Sequence, residues 1–319
     1  MEALREYWLI IITTPIYFII IGLELLLSHL QHFKAYTLKD TFTNLYLMLI
    51  NTAIDILFRG IYVGVIFQYF YEHRITNWHQ PISYWLLLLF AEDFLYYWLH
   101  RFDHEIRFFW AAHVTHHSSE KFNFTVGFRS SVFQPLYRFI YFIPLAWLGF
   151  KPLDIVFMYS ATQIWGIFVH TEFIKKMGWL EHILVTPSHH RVHHASNAKY
   201  LDKNMGMFLI IWDKMFGTFQ AELPEEDYQP IKYGLTSNLE NPNAVSIVFH
   251  EWNQMLKDIK RKDIGLQDKM NYIFGPPGWS HDGSRLTSDQ MRQKEKIEEL
   301  SGQGVSPEMI VHDISNANA

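Results

Sequence analysis

The chain has 319 residues, of which 49% are hydrophobic, 17% aromatic and only 18% charged. It contains 18 histidines and no cysteine, which excludes a disulfide scaffold, a thiolate zinc site and a thiol nucleophile. The formal net charge of -5 argues against a nucleic-acid partner, because proteins that bind nucleic acids are usually basic. Apolar runs dominate the first 170 residues and most charges follow residue 175, so the composition indicates a membrane protein with many imidazoles.

Five apolar runs have the length and character expected of bilayer-spanning helices, which need about 20 residues. They cover residues 8–27, 45–70, 82–99, 132–150 and 153–169. The first run has no small-residue cleavage site, so we interpret it as an anchor and not as a signal peptide. In the second run, Asp55 and Arg59 are four residues apart and are expected to neutralise each other on one helix face.

The fourth and fifth runs are less regular than the others. Pro135 and Pro144 are expected to kink the fourth run, and the two runs together could form a hairpin that enters and leaves the membrane on one side. We therefore predict an all-α integral membrane protein whose transmembrane bundle has about four to five spans.

The distribution of basic residues predicts the orientation of this bundle. If all five runs cross the membrane, residues 31–44, 100–131 and everything after 170 lie on one side, together with most lysines and arginines. The positive-inside rule makes that side cytosolic. We predict a multi-pass protein of a bacterial inner membrane or the endoplasmic reticulum, with a helical histidine-rich domain capping the bundle in the cytosol.

Ten histidines stand out by their spacing. An HxxxH pattern is followed by two HxxHH patterns, the second preceded by one more histidine, and one histidine stands alone at the end of the fifth run. They are His100, His104, His113, His116, His117, His170, His189, His190, His193 and His194. Random placement would produce roughly 0.06 HxxHH matches in such a chain, so the two matches that occur are not explained by chance.

The spacing of these histidines predicts metal binding. Residues three or four apart lie on one helix face, about 5–6 Å from each other. Neutral imidazole suits iron, zinc, copper or nickel, whereas magnesium and calcium prefer oxygen ligands. Nine or ten imidazoles exceed the needs of one ion, so we predict two metal ions near the cytosolic mouth of the bundle. His189 is either a ligand or a neighbour of one, because adjacent helical residues point about 100° apart.

These patterns resemble the fatty acid hydroxylase and sterol desaturase superfamily, over about residues 88 to 220. Within it, the resemblance is closest to the alkylglycerol monooxygenase branch. The stretches that carry it are residues 100–105, 110–120, 170–172, 186–194, 202–204, 211–219 and 233–236. The resemblance implies a membrane-bound monooxygenase with two non-haem iron ions that uses O2. It also implies that Glu105, beside the first box, is required for catalysis.

The resemblance further implies a lipid substrate taken from the bilayer, in particular an ether lipid cleaved to a fatty aldehyde and a glycerol derivative. Tetrahydrobiopterin would be the reductant. Animal members of this branch have further membrane segments after the core, whereas residues 223–319 here are polar. A ferredoxin or cytochrome, as implied for shorter relatives, is therefore the alternative electron donor.

The domain organisation that we expect has three parts. Residues 1–81 form N-terminal transmembrane helices, residues 82–222 form the catalytic core, and residues 223–319 form a polar C-terminal tail. Within the tail, apolar residues recur at intervals of three and four and predict one amphipathic helix. They are Val245, Val248, Phe249, Trp252 and Leu256.

Carboxylates that could orient the histidines follow from the same patterns. Metal-bound imidazole usually donates its second N–H to a carboxylate or carbonyl oxygen. Candidates close to the boxes are Asp103, Glu172, Asp202 and Asn204. Glu92 and Asp93 lie in an apolar run, where carboxylates are costly, and are expected to face the site.

Two other functions fit parts of the pattern. A fatty acid, sterol or carotenoid hydroxylase or desaturase would share the three boxes and differ in the shape of the substrate site. A metal transporter or storage protein would also use histidines, but transporters place their ligands near the middle of the membrane. The concentration of histidines at one end of the bundle favours catalysis.

Overall fold

The computed structural model describes residues 2–78 and 81–302, and these are helical apart from connecting loops and two isolated β-bridges. Four long helices form the bundle: α1 (Glu2–Leu30), α2 (Leu38–Ile61), α4 (Pro81–Glu105) and α7 (Pro152–Phe168). A π-helical turn, Tyr62–Phe67, continues α2 into the short helix α3 (Gln68–Glu72). The shorter helices are α5 (Arg107–His117), α6 (Ile143–Trp147), α8 (Pro187–His193), α9 (Ile211–Phe216), α10 (Ala244–Ile259), α11 (Leu266–Phe274) and α12 (Ser288–Gly302). The predicted all-α class is confirmed.

The apolar run 132–150 does not form one long helix. It contains the 3-10 turns Gln134–Leu136 and Arg138–Phe142, followed by the five-residue helix α6. Pro135 and Pro144 lie at the starts of two of these pieces, where a residue without an N–H is tolerated. The run is therefore a series of short turns packed into the bundle.

Two helical segments are long and apolar enough to cross a membrane, Arg5–Leu30 and Leu38–Glu72. Most of their side chains point outward: Phe18 is 75% exposed and Ile56 is 69% exposed. Apolar surface of this extent is unfavourable in water, and lipid is the solvent that suits it.

Contacts between the helices define two ends of the bundle. At one end, Arg5 pairs with Asp154 at 2.6 Å, so the start of α1 lies beside the start of α7. At the other end, Glu24 of α1 accepts a hydrogen bond from the backbone N–H of Phe124 at 3.0 Å, and Asn123 donates to the carbonyl of Ala35 at 2.8 Å. This second end, where α4 and α7 also finish, carries the histidine boxes.

Buried ion pairs inside the bundle satisfy the charges of the apolar segments. The predicted pair of Asp55 and Arg59 is confirmed, with Nη2 and Oδ2 2.7 Å apart. Arg138, buried on the turn that precedes α6, also contacts Asp55. Breaking a buried pair by removing one partner costs about 3–5 kcal/mol, so these charges fix how α2 packs against the broken run.

Glu92 and Asp93 have partners other than the histidines. Asp93 accepts hydrogen bonds from the backbone N–H groups of Phe208 and Leu209, both at 3.0 Å, and from the indole of Trp212 at 2.9 Å. Glu92 accepts one from Thr162 at 3.3 Å. The expectation that Asp93 faces the metal site is thus corrected, because its carboxylate holds the chain that follows the third box.

The predicted amphipathic helix of the C-terminal part is confirmed as α10. A buried cation anchors it to the core: Arg107 of α5 donates to Glu251 at 2.6 Å and to Asp258 at 2.7 Å. Its buried side consists of Ile247, Val248, Met255 and Asp258. Most of the apolar stripe that predicted the helix therefore lies on its outer side.

Candidate metal centre

Nine of the ten predicted histidines converge in two adjacent groups. The group of five contains His100, His104, His113, His117 and His193, and the group of four contains His116, His170, His190 and His194. Within each group, one nitrogen from every ring lies within 4.8 Å of the others. The two groups touch, since the rings of His117 and His194 stack with centroids 4.4 Å apart.

Two short helices divide their histidines between the groups. On α5, His113 and His117, four residues apart, point to the group of five, whereas His116 points to the group of four. On α8 the division is reversed, because His190 and His194 join the group of four and His193 joins the group of five. The HxxHH pattern therefore supplies ligands to both sides of one helix, as its angular spacing allows.

The outer nitrogen of six rings is held by an oxygen atom. Nδ1 lies 2.7 Å from the Met205 carbonyl in His100, 3.0 Å from the Arg129 carbonyl in His116, 2.6 Å from the Gly166 carbonyl in His170 and 3.0 Å from the Lys203 carbonyl in His193. In His104 it faces Asp202, and in His113 it faces Ser131 and Asp103. A carbonyl or carboxylate can only accept, so Nδ1 carries the proton and Nε2 is left as a lone-pair donor.

Burial keeps these imidazoles neutral. It lowers the pKa of His113, His117 and His194 well below the usual range, and the neighbouring imidazoles lower it further. Burial likewise lowers the pKa of His116 to about 4. Neutral imidazole is the form that binds a metal, so both groups are ready to bind at neutral pH.

The positions of several inward nitrogens are explained better by coordination of a metal ion than by hydrogen bonds between the rings. Nε2 of His104, His117 and His193 is buried and has no hydrogen-bond partner. In the group of four, Nε2 of His170 lies 3.0 Å from Nε2 of His190 and 3.1 Å from Nε2 of His194. Two nitrogens about 2.1 Å from one ion and at right angles to each other would be about 3.0 Å apart. The donor set, nitrogen without sulfur, suits a first-row transition metal.

His189 is the predicted ligand that lies outside both groups. Its Nδ1 accepts a hydrogen bond from the backbone N–H of Thr186 at 3.3 Å, which caps the start of α8. Burial lowers the pKa of His189 to about 4, so the ring is neutral and able to accept this bond. The side chain orients the helix that carries the third box.

Glu105 also lies outside both groups, and its side chain is 43% exposed. It pairs with Arg101 at 2.7 Å, and Arg101 donates to the hydroxyl of Tyr97 at 3.2 Å. Tyr97 continues the chain of hydrogen bonds to Thr218 at 3.0 Å and Thr218 to Asp213 at 2.6 Å. Asp213 accepts from the N–H of Met205, whose carbonyl holds His100, so Glu105 is connected to a histidine of the group of five.

A cavity of about 660 Å³ opens beside the group of five. His104, His117 and His193 of the group of five line it, together with His194 of the group of four. Residues of the C-terminal region also line it: Leu235, Thr236, Ser237, Glu251, Gln254, Arg285, Leu286 and Ser288. Of these, the sequence pointed only to Leu235 and Thr236, which lie in the stretch 233–236 that shares the family resemblance. Glu251 and Gln254 could not be foreseen, because their contribution depends on Arg107 docking α10 against α5.

Comparison with known proteins places these observations in a family. Residues 85–218 match the family model described as fatty acid hydroxylase. The chain is therefore similar to the fatty acid hydroxylase family over these residues, as the sequence predicted. All nine grouped histidines lie within the matched residues.

The curated relatives extend the similarity beyond the fatty acid hydroxylase domain. The human alkylglycerol monooxygenase is 34% identical over 295 residues, which are 92% of this chain and 63% of the relative. The protein of the same name from Xenopus tropicalis is 34% identical over 279 residues, 86% of this chain and 60% of the relative. A Delta(7)-sterol 5(6)-desaturase of Gibberella zeae is 29% identical over 150 residues, 44% of this chain and 43% of the relative.

The chain thus spans about three fifths of the length of the alkylglycerol monooxygenases that it matches. No solved structure matches it significantly.

Asp202 offers a test of how the outer nitrogens control metal binding. Burial alone would raise the pKa of this carboxyl, but the hydrogen bond from His104 lowers it below the usual range. We expect Asp202→Ala to weaken metal binding by the group of five by about 10–100-fold, because His104 loses the acceptor that fixes its tautomer. Metal content after dialysis against graded chelator would measure this, with Asp263→Ala on the exposed surface as the control. Equal metal retention in both variants would contradict the orienting role of Asp202.

Proposed function

We propose that this chain is a membrane-bound, iron-dependent monooxygenase that hydroxylates the alkyl chain of a lipid, with an ether lipid as the substrate class. Hydroxylation of the carbon beside the ether oxygen would give a hemiacetal, which collapses to a fatty aldehyde and a glycerol derivative. The observation that carries the proposal is the pair of histidine groups, five and four rings, with neutral inward nitrogens. The similarity to alkylglycerol monooxygenases supports the substrate class.

We propose iron at both groups, with the nine grouped histidines as ligands and His189 as a positioning residue. An alkyl C–H bond has no acidic proton, so acid–base groups alone cannot break it. Two irons would supply the activation of O2 and the oxidising power for this bond. The protein contributes the fixed tautomers, the burial that excludes water, and the positions left free by ligand sets of five and four.

The cavity beside the group of five is the proposed site of the reacting end of the lipid. Apolar side chains line it, among them Trp110, Val114 and Leu201. Hydroxyl and carboxamide groups line it as well, among them Ser237 and Gln254. This mixed lining suits an ether lipid, because the carbon to be oxidised lies between an apolar chain and a polar head group.

We propose that α1 and α2 cross the bilayer, with α4 and α7 completing the bundle and the histidine groups at its cytosolic end. Lys34, Lys39 and Lys121 lie near that end, which is the arrangement that the positive-inside rule favours. The division into residues 1–81, 82–222 and 223–319 remains our proposal for the domains. The structure adds that the third part contributes a wall of the cavity.

The electrons for the reaction must come from outside the chain in this proposal. A diffusible reductant such as tetrahydrobiopterin could reach the group of five through the same cavity. A ferredoxin or cytochrome docking at the cytosolic end is the alternative donor.

The decisive experiment is turnover of purified, iron-loaded protein with a 1-O-alkylglycerol under O2, with identification of the products. We expect fatty aldehyde and free glycerol, with tetrahydrobiopterin and reduced ferredoxin compared as separate reductants. A fatty acid and a sterol serve as competing substrates, because sterol desaturases are among the relatives. Oxidation of the fatty acid or the sterol, with no aldehyde formed from the ether lipid, would contradict the proposed substrate class. The proposed oxygenase activity would still stand.

Removal of one histidine from each group tests the two-metal arrangement. We expect His116→Ala and His193→Ala each to abolish turnover and to reduce metal content from about two ions per chain toward about one, since each group loses a ligand that nothing replaces. Elemental mass spectrometry and the ether assay would report the two effects. His182→Ala is the matched control, because His182 is exposed and belongs to neither group. Unchanged turnover in either group variant would remove that histidine from the site.

Glu105 is proposed as a positioning residue for catalysis. Glu105→Gln removes the charge that holds Arg101, and with it the outer end of the hydrogen-bond chain to Met205 and His100. We expect kcat to fall at least about tenfold while metal content stays at the level of the unsubstituted protein. The electronic spectrum of the bound metal should also change, because His100 is a proposed ligand. Parallel loss of metal and of turnover would instead make Glu105 a structural residue.

A further inference from the structure

The outer surface of α10 and α11 is apolar although it belongs to a polar part of the sequence. On α10, Val245 is 68%, Phe249 41% and Leu256 45% exposed, and they lie on one side of the helix. On α11, Leu266 is 77% and Met270 is 45% exposed. We call the side chains of these five residues, together with Phe274 (55% exposed), the outer face.

Aromatic contacts join the two helices into one continuous surface. The rings of Phe249 and Phe133 have centroids 5.7 Å apart, and Phe133 contacts Trp252 at 5.8 Å. Trp252 contacts Phe108 at 5.3 Å, and Phe108 contacts Phe274 of α11 at 6.5 Å. The outer face is therefore a contiguous apolar patch bordered by aromatic rings, as is usual where a protein meets a membrane interface.

The patch also continues onto a helix that we propose to span the bilayer. Tyr46 of α2 is 53% exposed and lines a groove of about 810 Å³ together with Val245, Phe249 and Lys257 of α10. Tyr46 is eight residues beyond the start of α2, or about 12 Å along the helix. Beneath the groove, Leu47 of α2 packs in one buried cluster with Ile247 of α10.

Basic residues surround the turn between the two helices. Lys257, Lys260 and Lys262 are exposed, and Arg261 lies between them. A helix pair with one apolar face and lysines at its border is suited to lie in the interface of a membrane that contains anionic lipids. Arg261 is paired with Asp263 in the same turn, at 2.6 Å, and the three lysines supply the positive charge of the border. The exposed apolar area is large for a surface that faces only water.

We propose that α10 and α11 lie in the cytosolic leaflet of the bilayer, with the outer face inserted among the lipids and Lys257, Lys260 and Lys262 at the head groups. The inference goes beyond the proposed reaction and rests on the proposals that α2 spans the membrane and that this end of the bundle is cytosolic. It places the wall of the cavity that α10 supplies, with Glu251 and Gln254, at the level where a lipid would leave the bilayer.

The absence of cysteine from the chain makes the test direct. Phe249→Cys and Met270→Cys would each receive a fluorescent maleimide in the full-length, iron-loaded protein, reconstituted in vesicles of phosphatidylcholine and phosphatidylglycerol. Two further variants give the references: Ile56→Cys on the exposed side of α2, and Gln293→Cys on the exposed side of α12. Metal content equal to that of the parent protein shows that each labelled variant is folded.

The labels would be read with iodide in the water and with nitroxide-bearing lipids in the membrane. We expect the labels at 249 and 270 to be quenched at least about twofold more by a shallow nitroxide than the label at 293, in line with insertion about 5–10 Å below the head groups. They should be protected from iodide by a similar factor.

Three results would overturn the inference or its basis. Iodide quenching at 249 and 270 as strong as at 293, with the label at 56 quenched by lipid, would leave the spanning helix intact and place the outer face in water. Protection from both quenchers would mean that a second copy of the chain covers the face. A label at 56 that iodide reaches would refute the spanning role of α2 and, with it, the inference about the outer face.

Discussion

The structure depends on one constraint: nine imidazole rings must share one volume inside the bundle, each with one nitrogen directed to its group. They meet it by dividing into groups of five and four and by turning the protonated nitrogen of most rings outward to a fixed oxygen. Some of these carbonyls are close in sequence, such as Gly166 for His170, whereas Met205 lies 105 residues from His100. The hydrogen bonds from the rings to these carbonyls therefore tie the backbone around the site to the histidines.

Buried charges outside the two histidine groups hold neighbouring segments of the chain in position. Asp93 fixes the segment at 208–212 that follows the third box, and Arg107 fixes α10 against α5. Among the described residues, ten buried side-chain atoms have no hydrogen-bond partner, and three of them are the Nε2 atoms of His104, His117 and His193 in the group of five. Unpaired buried polar atoms are costly in a folded protein, so three that converge in one group fit a site that a metal ion would complete.

Much of the site could be predicted because ligand spacing is a local property. HxxxH and HxxHH place rings on one or two sides of a helix turn, and α4, α5 and α8 do form there. The sequence could not distinguish His189 from the neighbouring histidines. A ring at the start of a helix can either cap that helix or point to a metal group, and which of the two occurs depends on the turn before Pro187. Nor could it foresee that the run at 132–150 would break into short turns, or that Asp93 would bind backbone amides.

What the sequence determined by itself is the chemistry: the number of histidines, their helical spacing, the absence of thiols and the apolar length of α1 and α2. These follow from residue type and short-range geometry. Only the tertiary structure decided which rings share a group, which oxygen holds each ring, and that the polar C-terminal region forms a wall of the cavity and presents an apolar outer face. Those features depend on contacts between residues up to about 150 positions apart, such as Arg107 with Asp258, and the entropy of closing so long a loop is repaid only when the whole core forms.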